Sequence, residues 1–310
     1  MLKSVSMLVV VTISYIGLLY ATLYRGGQDD YLAANSDKMR LVRDIPTPKM
    51  IFIGGSNLAF GLDSASISRA FSMPAVNMGV HAGFGLKFMM DQVTPYLKRG
   101  DIVVVVPEYQ HFTKDVFYGD ETLLNLAACT NDLSTLKTMQ ATTLARSFLQ
   151  ANGSIFNYDP GFVHKRATGV YARTSFNKDG DVTAHLGLPN KEVTDNDPLH
   201  TSLNRLSVKY LRGYIDGNAA RGVTTMVVYP CIKRDYYLHN ASAVSVVAKA
   251  LTEGGIHVAS SPLDFVYDDG LFYDTIYHLN ARGRMLRTEK MIQVLSNALP
   301  NLGVGTFVQQ

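Results

Sequence analysis

The run Asp101 to Pro107, DIVVVVP, constrains the fold more than any other stretch of the chain. Four consecutive β-branched residues favour an extended backbone, and no polar alternation leaves a face for water. A strand buried on both faces belongs in a parallel sheet with helices on either side. The neighbouring segments have the rhythm such a sheet requires. Lys49 to Gly55, KMIFIGG, is a short apolar strand stopped by glycines, and Asp63 to Phe71 is a short helix with Asp63 placed as its cap. A second strand ends near Val76-Asn77, and Phe84 to Leu97 reads as a helix closed by Lys98-Arg99-Gly100. After a break come a helix over Ser202 to Arg221, the strand Gly222 to Pro230 and a helix over Ala241 to Glu253. A strand over Gly255 to Ser260 and a closing helix from Ala281 to Leu299 complete the series. The pattern predicts a three-layer α/β/α sandwich around a mostly parallel sheet. Residues from about 112 to 200 interrupt it, with helical pieces at Glu121 to Ala128 and Leu133 to Leu149 and then a Gly/Asn/Asp-rich region. They read as an insertion, compatible with a cover over the active face or with a purely structural role.

Val5 to Tyr24 carries no charge over about twenty residues, the length of a membrane-spanning helix. It is longer than the apolar core of a signal peptide and is followed by no clear small-x-small cleavage site, so an uncleaved anchor is expected. Lys3 precedes it and Asp29 and Asp30 follow soon after Arg25, which favours an amino end in the cytoplasm and the remainder outside it. A single-pass membrane location is therefore expected, with the domain outside the cytoplasm. The organisation expected is an anchor over 1–25, a tether over 26–48 ending in Pro46-Thr47-Pro48, and one domain over 49–310.

At 310 residues and 47% hydrophobic, the chain has enough apolar side chains for a full core and is not disordered. A net charge of +3 without a basic run interleaved with aromatics gives no reason to expect a nucleic-acid partner. Cys129 and Cys231 stand in no metal spacing and are compatible with a bridge or with two buried thiols. His164, His185, His200 and His239 have no ligand partners at a recognisable spacing, so no metal is expected. Gly79, Gly83 and Gly85 do not reproduce G-x-G-x-x-G, so no dinucleotide cofactor is expected.

Ligands of such sheets bind beyond the carboxyl ends of the strands, and three segments there carry chemistry. Ile53-Gly54-Gly55-Ser56-Asn57 puts Ser56 on a sharp turn near the amino end of a helix, where a nucleophile's oxyanion would meet backbone N–H groups. The same residues are ordinary choices for a strand-to-helix turn. Asn77-Met78-Gly79 offers a backbone N–H that a bare glycine could bring close to a substrate, or simply a tight turn. Phe272 to Asn280, FYDTIYHLN, holds Asp274 and His278 on one loop before the last helix, with Asn280 as that helix's cap. A serine nucleophile needs a histidine base and a carboxylate that fixes the tautomer of that base.

Gly-Gly-Ser56, Gly79 and Asp274…His278-Leu-Asn together resemble the SGNH (GDSL-like) hydrolase superfamily, in motif order and approximate spacing across residues 49–299. Within it the chain looks most like the membrane-anchored branch found with bacterial envelope-polymer acylation, such as alginate O-acetylation proteins and the D-alanine transfer protein of teichoic acid systems. The resemblance implies a flavodoxin-like fold with Ser56 as nucleophile, His278 as base and Asp274 as its orienter. It also implies an oxyanion hole made by the N–H groups of Ser56 and Gly79. The pattern departs from the superfamily in three places: Gly55 stands where Asp is common, Gly-x-Asn-Asp is replaced by Glu108-Tyr109-Gln110-His111, and three residues separate Asp274 from His278 rather than two. A missing oxyanion asparagine costs about 10²–10³ in rate elsewhere, so efficient free hydrolysis is the activity most in question. Glu108 and His111 are compatible with substrate contacts and with capping or solvated roles. The function expected is O-acetyl transfer or ester hydrolysis on an extracytoplasmic polysaccharide or envelope polymer. The alternative is a non-catalytic partner of a membrane-embedded O-acyltransferase.

Overall fold

The computed structural model describes residues 27–113, 116–147, 169–193 and 197–300, with residues 6, 7, 9–15 and 17 near the amino end. Half of the residues of the span expected over Val5 to Tyr24 fall outside this set, and among the described residues no helix is long and apolar enough to cross a membrane.

The chain is an α/β protein built on a four-stranded sheet, with β1 (Met50–Gly54), β2 (Ala75–Asn77), β3 (Ile102–Val106) and β4 (Thr224–Val227) in the order β2-β1-β3-β4. Every pairing is parallel, and Met50 faces Ala75 on one side and Ile102 on the other. The helices covering it are α1 (Ala34–Asp44), α2 (Ser56–Gly61), α3 (Ser64–Phe71), α4 (Leu86–Val93), α5 (Arg205–Ala220), α6 (Ala241–Glu253) and α7 (Ala281–Ala298). Alternate residues of β1 and β3 enter two separate cores. Ile51, Ile53, Val103 and Val105 pack with Val42 of α1, Phe88 and Val93 of α4, Leu211 of α5 and Val247 of α6. Met50, Phe52, Val104 and Val106 pack with Ile67 and Phe71 of α3 and Met291 and Leu295 of α7. The valine run is thus buried on both faces, the arrangement its sequence demands. Cys129 lies in the first core and Cys231 in the second, so both are free buried thiols rather than a bridge.

Caps at the helix starts follow the sequence closely. The Asp63 carboxylate accepts from the Ser66 N–H at 3.2 Å, and the Asn280 side chain accepts from the Gly283 N–H at 3.0 Å. The helix expected to Leu97 ends its α-helical part at Val93, where Pro95 turns it into a 3₁₀ segment, Thr94–Tyr96. The strand expected over Gly255 to Ser260 is reduced to one parallel bridge, Val227 to Val258. There the Ser260 hydroxyl accepts from the Tyr229 N–H at 3.0 Å, in place of a carbonyl that would continue the ladder. A separate parallel pair, β5 (Ile232–Lys233) with β6 (Val266–Tyr267), is not evident in the sequence.

Residues 27–48 of the expected tether are instead part of the domain. Ala34, Lys38 and Val42 recur every four residues on the inward face of α1, and Tyr31 and Ala33 join the first core. Lys38 hides this pattern from a hydropathy reading. Its side chain is fully buried, donating to the carbonyls of Gly79 and, at 2.7 Å, Gly180, with its amine 4.3 Å from the Phe176 ring centre. Burial pushes that amine down to about 7, against the opposing charge of Asp181. Within the insertion, residues 169–193 add no strand to the main sheet but are locked against it. Asp181 is buried and accepts from the Ser64 N–H and hydroxyl and from the Asn77 side chain, at 2.9, 2.7 and 2.8 Å.

Candidate active site

In the order β2-β1-β3-β4 the sheet's winding reverses between β1 and β3, and the crevice for a ligand opens beyond their carboxyl ends. β1 leads through Gly55 into α2, whose first residue is Ser56. Neither glycine of this turn is needed for a left-handed backbone, since Gly55 has φ −86°. Close approach requires them. A Cβ on Gly54 would lie 2.5 Å from the Val106 carbonyl, and one on Gly55 would lie 2.5 Å from Glu108 Oε1 and 2.9 Å from the Ala82 backbone. Ser56 is half-buried, and among the described residues its hydroxyl makes no hydrogen bond.

The rest of α2 is anchored from below. Asn57 is fully buried; its side-chain oxygen accepts from Arg287 at 2.8 Å and its NH₂ donates to Glu108 at 3.1 Å. Asn57 thereby links a buried cation to a buried carboxylate directly beneath Ser56.

The Asp–His loop is a closed ring. Phe272 and Leu279 form an antiparallel bridge, and the Tyr273 N–H donates to the His278 carbonyl at 2.8 Å. Inside it the Thr275 hydroxyl accepts from the N–H groups of Tyr277 and His278 at 3.2 and 3.1 Å. This winding lets Asp274 and His278 meet despite the three residues between them: Asp274 Oδ1 accepts from His278 Nδ1 at 2.9 Å. With Nδ1 as donor, the neutral imidazole keeps Nε2 free to accept a proton. Burial pushes the Asp274 carboxyl up, but its bonds to His278 and Tyr171 outweigh this and hold it below the usual carboxylate range. The His278 ring lies flat on Phe60, with ring centres 3.9 Å apart. Phe60 is one helical turn after Ser56, so the serine and the imidazole share one face of α2. No hydrogen bond joins the Ser56 hydroxyl to His278 in this resting arrangement.

Gly79 lies against the same turn. A Cβ there would be 2.6 Å from the Gly55 carbonyl and 2.8 Å from the Ala59 nitrogen, so only glycine lets this loop pack on α2. Its N–H, however, donates to the Asn77 side chain at 2.9 Å and does not stand free for an oxyanion. Glu108 and His111 are both buried, which removes the solvated reading. Glu108 accepts from Asn57 and, at 3.0 Å, Gln110, while His111 bonds the Glu108 N–H and the Ala82 carbonyl, each at 3.0 Å.

Sequence reasoning missed three residues here. Tyr171, from the insertion, donates its hydroxyl to Asp274 Oδ2 at 2.6 Å and lies 3.2 Å from His278 Nδ1. His185 packs on Phe60 and Tyr273 and bonds the Leu279 carbonyl at 2.9 Å, and burial holds it down to about 4. His81 accepts from the Gly83 N–H through Nδ1 at 3.0 Å, and the surrounding protein holds its imidazole below the ordinary value although its surface is open. None stands in a motif, and only contact with the site marks them. Among the described residues no three His, Cys, Asp or Glu side chains converge as a metal site would need.

The fold and site together define a parallel α/β protein with a half-buried serine and an Asp–His pair at the switch point of its sheet. No family model and no curated protein matches the sequence.

Proposed function

We propose that the chain is a membrane-anchored serine acyl-transfer protein of the SGNH (GDSL-like) superfamily, with that superfamily's three-layer, flavodoxin-like fold. Its substrate would be an acylated polysaccharide or envelope polymer outside the cytoplasm. The observation that carries this is the Asp274–His278 hydrogen bond, with the imidazole stacked on the helix that Ser56 begins. The apolar side chains of Val9, Val10, Val11 and Ile13, all exposed, support the anchor.

In this reading the Ser56 hydroxyl gives its proton to His278 Nε2 as its oxygen bonds the ester carbonyl carbon. The carbonyl electron pair moves onto oxygen, and the Ser56 N–H, at the first turn of α2, would donate to it. Collapse of this intermediate expels the alcohol, which takes the proton from Nε2 and leaves an acyl-serine. Water or a sugar hydroxyl then repeats the sequence in reverse, giving hydrolysis or transfer. Asp274 stabilises the imidazolium at each stage.

The second reading, a non-catalytic partner of a membrane-embedded O-acyltransferase, draws support from specific features. The Gly79 N–H is occupied, and the Glu108 carboxylate lies against Gly55 and Asn57, where negative charge opposes a forming oxyanion. A serine-directed phosphonate separates the two. It should label wild-type protein at Ser56 and fail on Ser56→Ala, and Ser56→Ala should fail to complement polymer acylation in cells. Full complementation by that variant would favour the partner role.

A further inference from the structure

The Tyr171 hydroxyl touches both members of the Asp–His pair, although the residue is 42% exposed and comes from the insertion rather than the sheet. A surface tyrosine ordinarily points its hydroxyl at water. Here the arm that carries it is tied down along its length. Ala172 bridges Asp30, and the Arg173 guanidinium forks onto both oxygens of Asp37 at 2.6 and 2.8 Å while donating to the Gln28 carbonyl at 3.0 Å. The Ser175 hydroxyl closes the turn on the Gly169 carbonyl at 2.7 Å, and Lys38 holds the Gly180 carbonyl further along. The Tyr171 ring packs on Tyr31 and Phe60, with centres 5.7 and 5.8 Å apart. The side chain that flanks the imidazole from below, Phe60, therefore also positions the tyrosine.

We infer that Tyr171 is a positioning residue for the Asp274–His278 pair. By occupying Oδ2 it leaves Oδ1 as the oxygen presented to Nδ1–H, and so holds the imidazole with Nε2 unprotonated. By donating to the carboxylate it also draws off negative charge that would otherwise face the imidazole. Other titratable groups facing this pair include His81 and His185, which oppose its positive charge, Tyr31, which feels the Asp274 charge, and Lys191, whose charge reaches Asp274. The role matters to chemistry through the proposed Ser56 reaction, on which it rests.

The test uses full-length protein in detergent with ¹⁵N-labelled histidines, His278 being assigned by its loss in His278→Gln. In Tyr171→Phe the His278 titration midpoint should rise by about half a pH unit, with the second imidazole tautomer becoming detectable. The acid limb of phosphonate labelling at Ser56 should move by the same amount. A variant that folds but leaves midpoint and tautomer as in wild type overturns the inference, because a merely structural tyrosine would change neither. If wild-type Ser56 is not labelled while the His278 midpoint still moves, the acyl-transfer reading fails and the positioning role stands. If Ser56 is labelled and the midpoint does not move, the Tyr171 inference alone fails.

Discussion

The Phe60 ring and the His278 imidazole lie 3.9 Å apart between centres and within 5° of parallel. Phe60 is fully buried in the first core, so the imidazole rests on a side chain held by core packing. An aromatic contact of this kind contributes about 0.5–1.5 kcal/mol beyond area burial. Phe60→Leu keeps an apolar side chain in the core but loses ring atoms and the contacts with Tyr31, Tyr171, His185 and His278, so the fold should survive with a loss of about 1–3 kcal/mol. Phosphonate labelling of Ser56 should slow up to about tenfold, measured as a rate at saturating base. Labelling at the wild-type rate would show that the stack does not place the imidazole.

Asp274→Asn should keep the fold while labelling drops by about 10⁴, because an amide can hold His278 in the wrong tautomer. Thermal unfolding and labelling rates measured side by side check this. A loss of less than tenfold would mean that Asp274 is not the orienting carboxylate.

Gly79→Ala should fail for a different reason. The added Cβ would meet the Gly55 carbonyl and Leu58 Cβ, each at 2.6 Å, forcing the loop and α2 apart. We expect a loss of about 1–3 kcal/mol in stability, with labelling falling in parallel. Unchanged stability with lost labelling would instead point to a direct catalytic role for the Gly79 amide.

The acid sensitivity of the fold has a calculable sign. His185 titrates near 4 in the folded protein and near about 6.5 unfolded, so between these values only the unfolded chain takes up the proton. Its stabilising contribution is fully present above about pH 6.5 and is lost as pH falls toward 4. At full effect this is about 3 kcal/mol, in proportion to the difference between those two values. His111, which is fully buried, is shifted in the same direction and adds to the slope. Chemical denaturation at a series of pH values should show a shallower decline for His185→Gln, and an identical slope would refute the assignment.

Truncation should separate the two halves of the amino-terminal region. A chain starting at residue 27 keeps Tyr31, Lys38 and Val42 and the Asp37–Arg173 fork, so it should fold. One starting at residue 49 loses them, exposing the first core and releasing the arm that carries Tyr171. It should unfold at markedly lower temperature or aggregate; equal melting temperatures would contradict the packing of α1.

Much of this protein is legible in its sequence because the signals are local. DIVVVVP can be satisfied only by burial on both faces, and Asp63 and Asn280 cap helices through side chains a few residues from the N–H groups they accept. Ser56, Asp274 and His278 stand out as candidates in the sequence because each sits where a strand or loop ends beside a helix. What a residue meets across the fold was not legible. Lys38 reads as a solvated tether residue, yet two distant carbonyls solvate its amine in the interior. Gly79 reads as an oxyanion donor, but Asn77, two residues away, takes its N–H once the loop packs on α2. Tyr171 stands 103 residues from Asp274, in a stretch with no periodicity to mark it. Only tertiary packing brings that hydroxyl to the carboxylate, because hydrogen bonds between distant segments depend on the fold's geometry and leave no spacing in the chain.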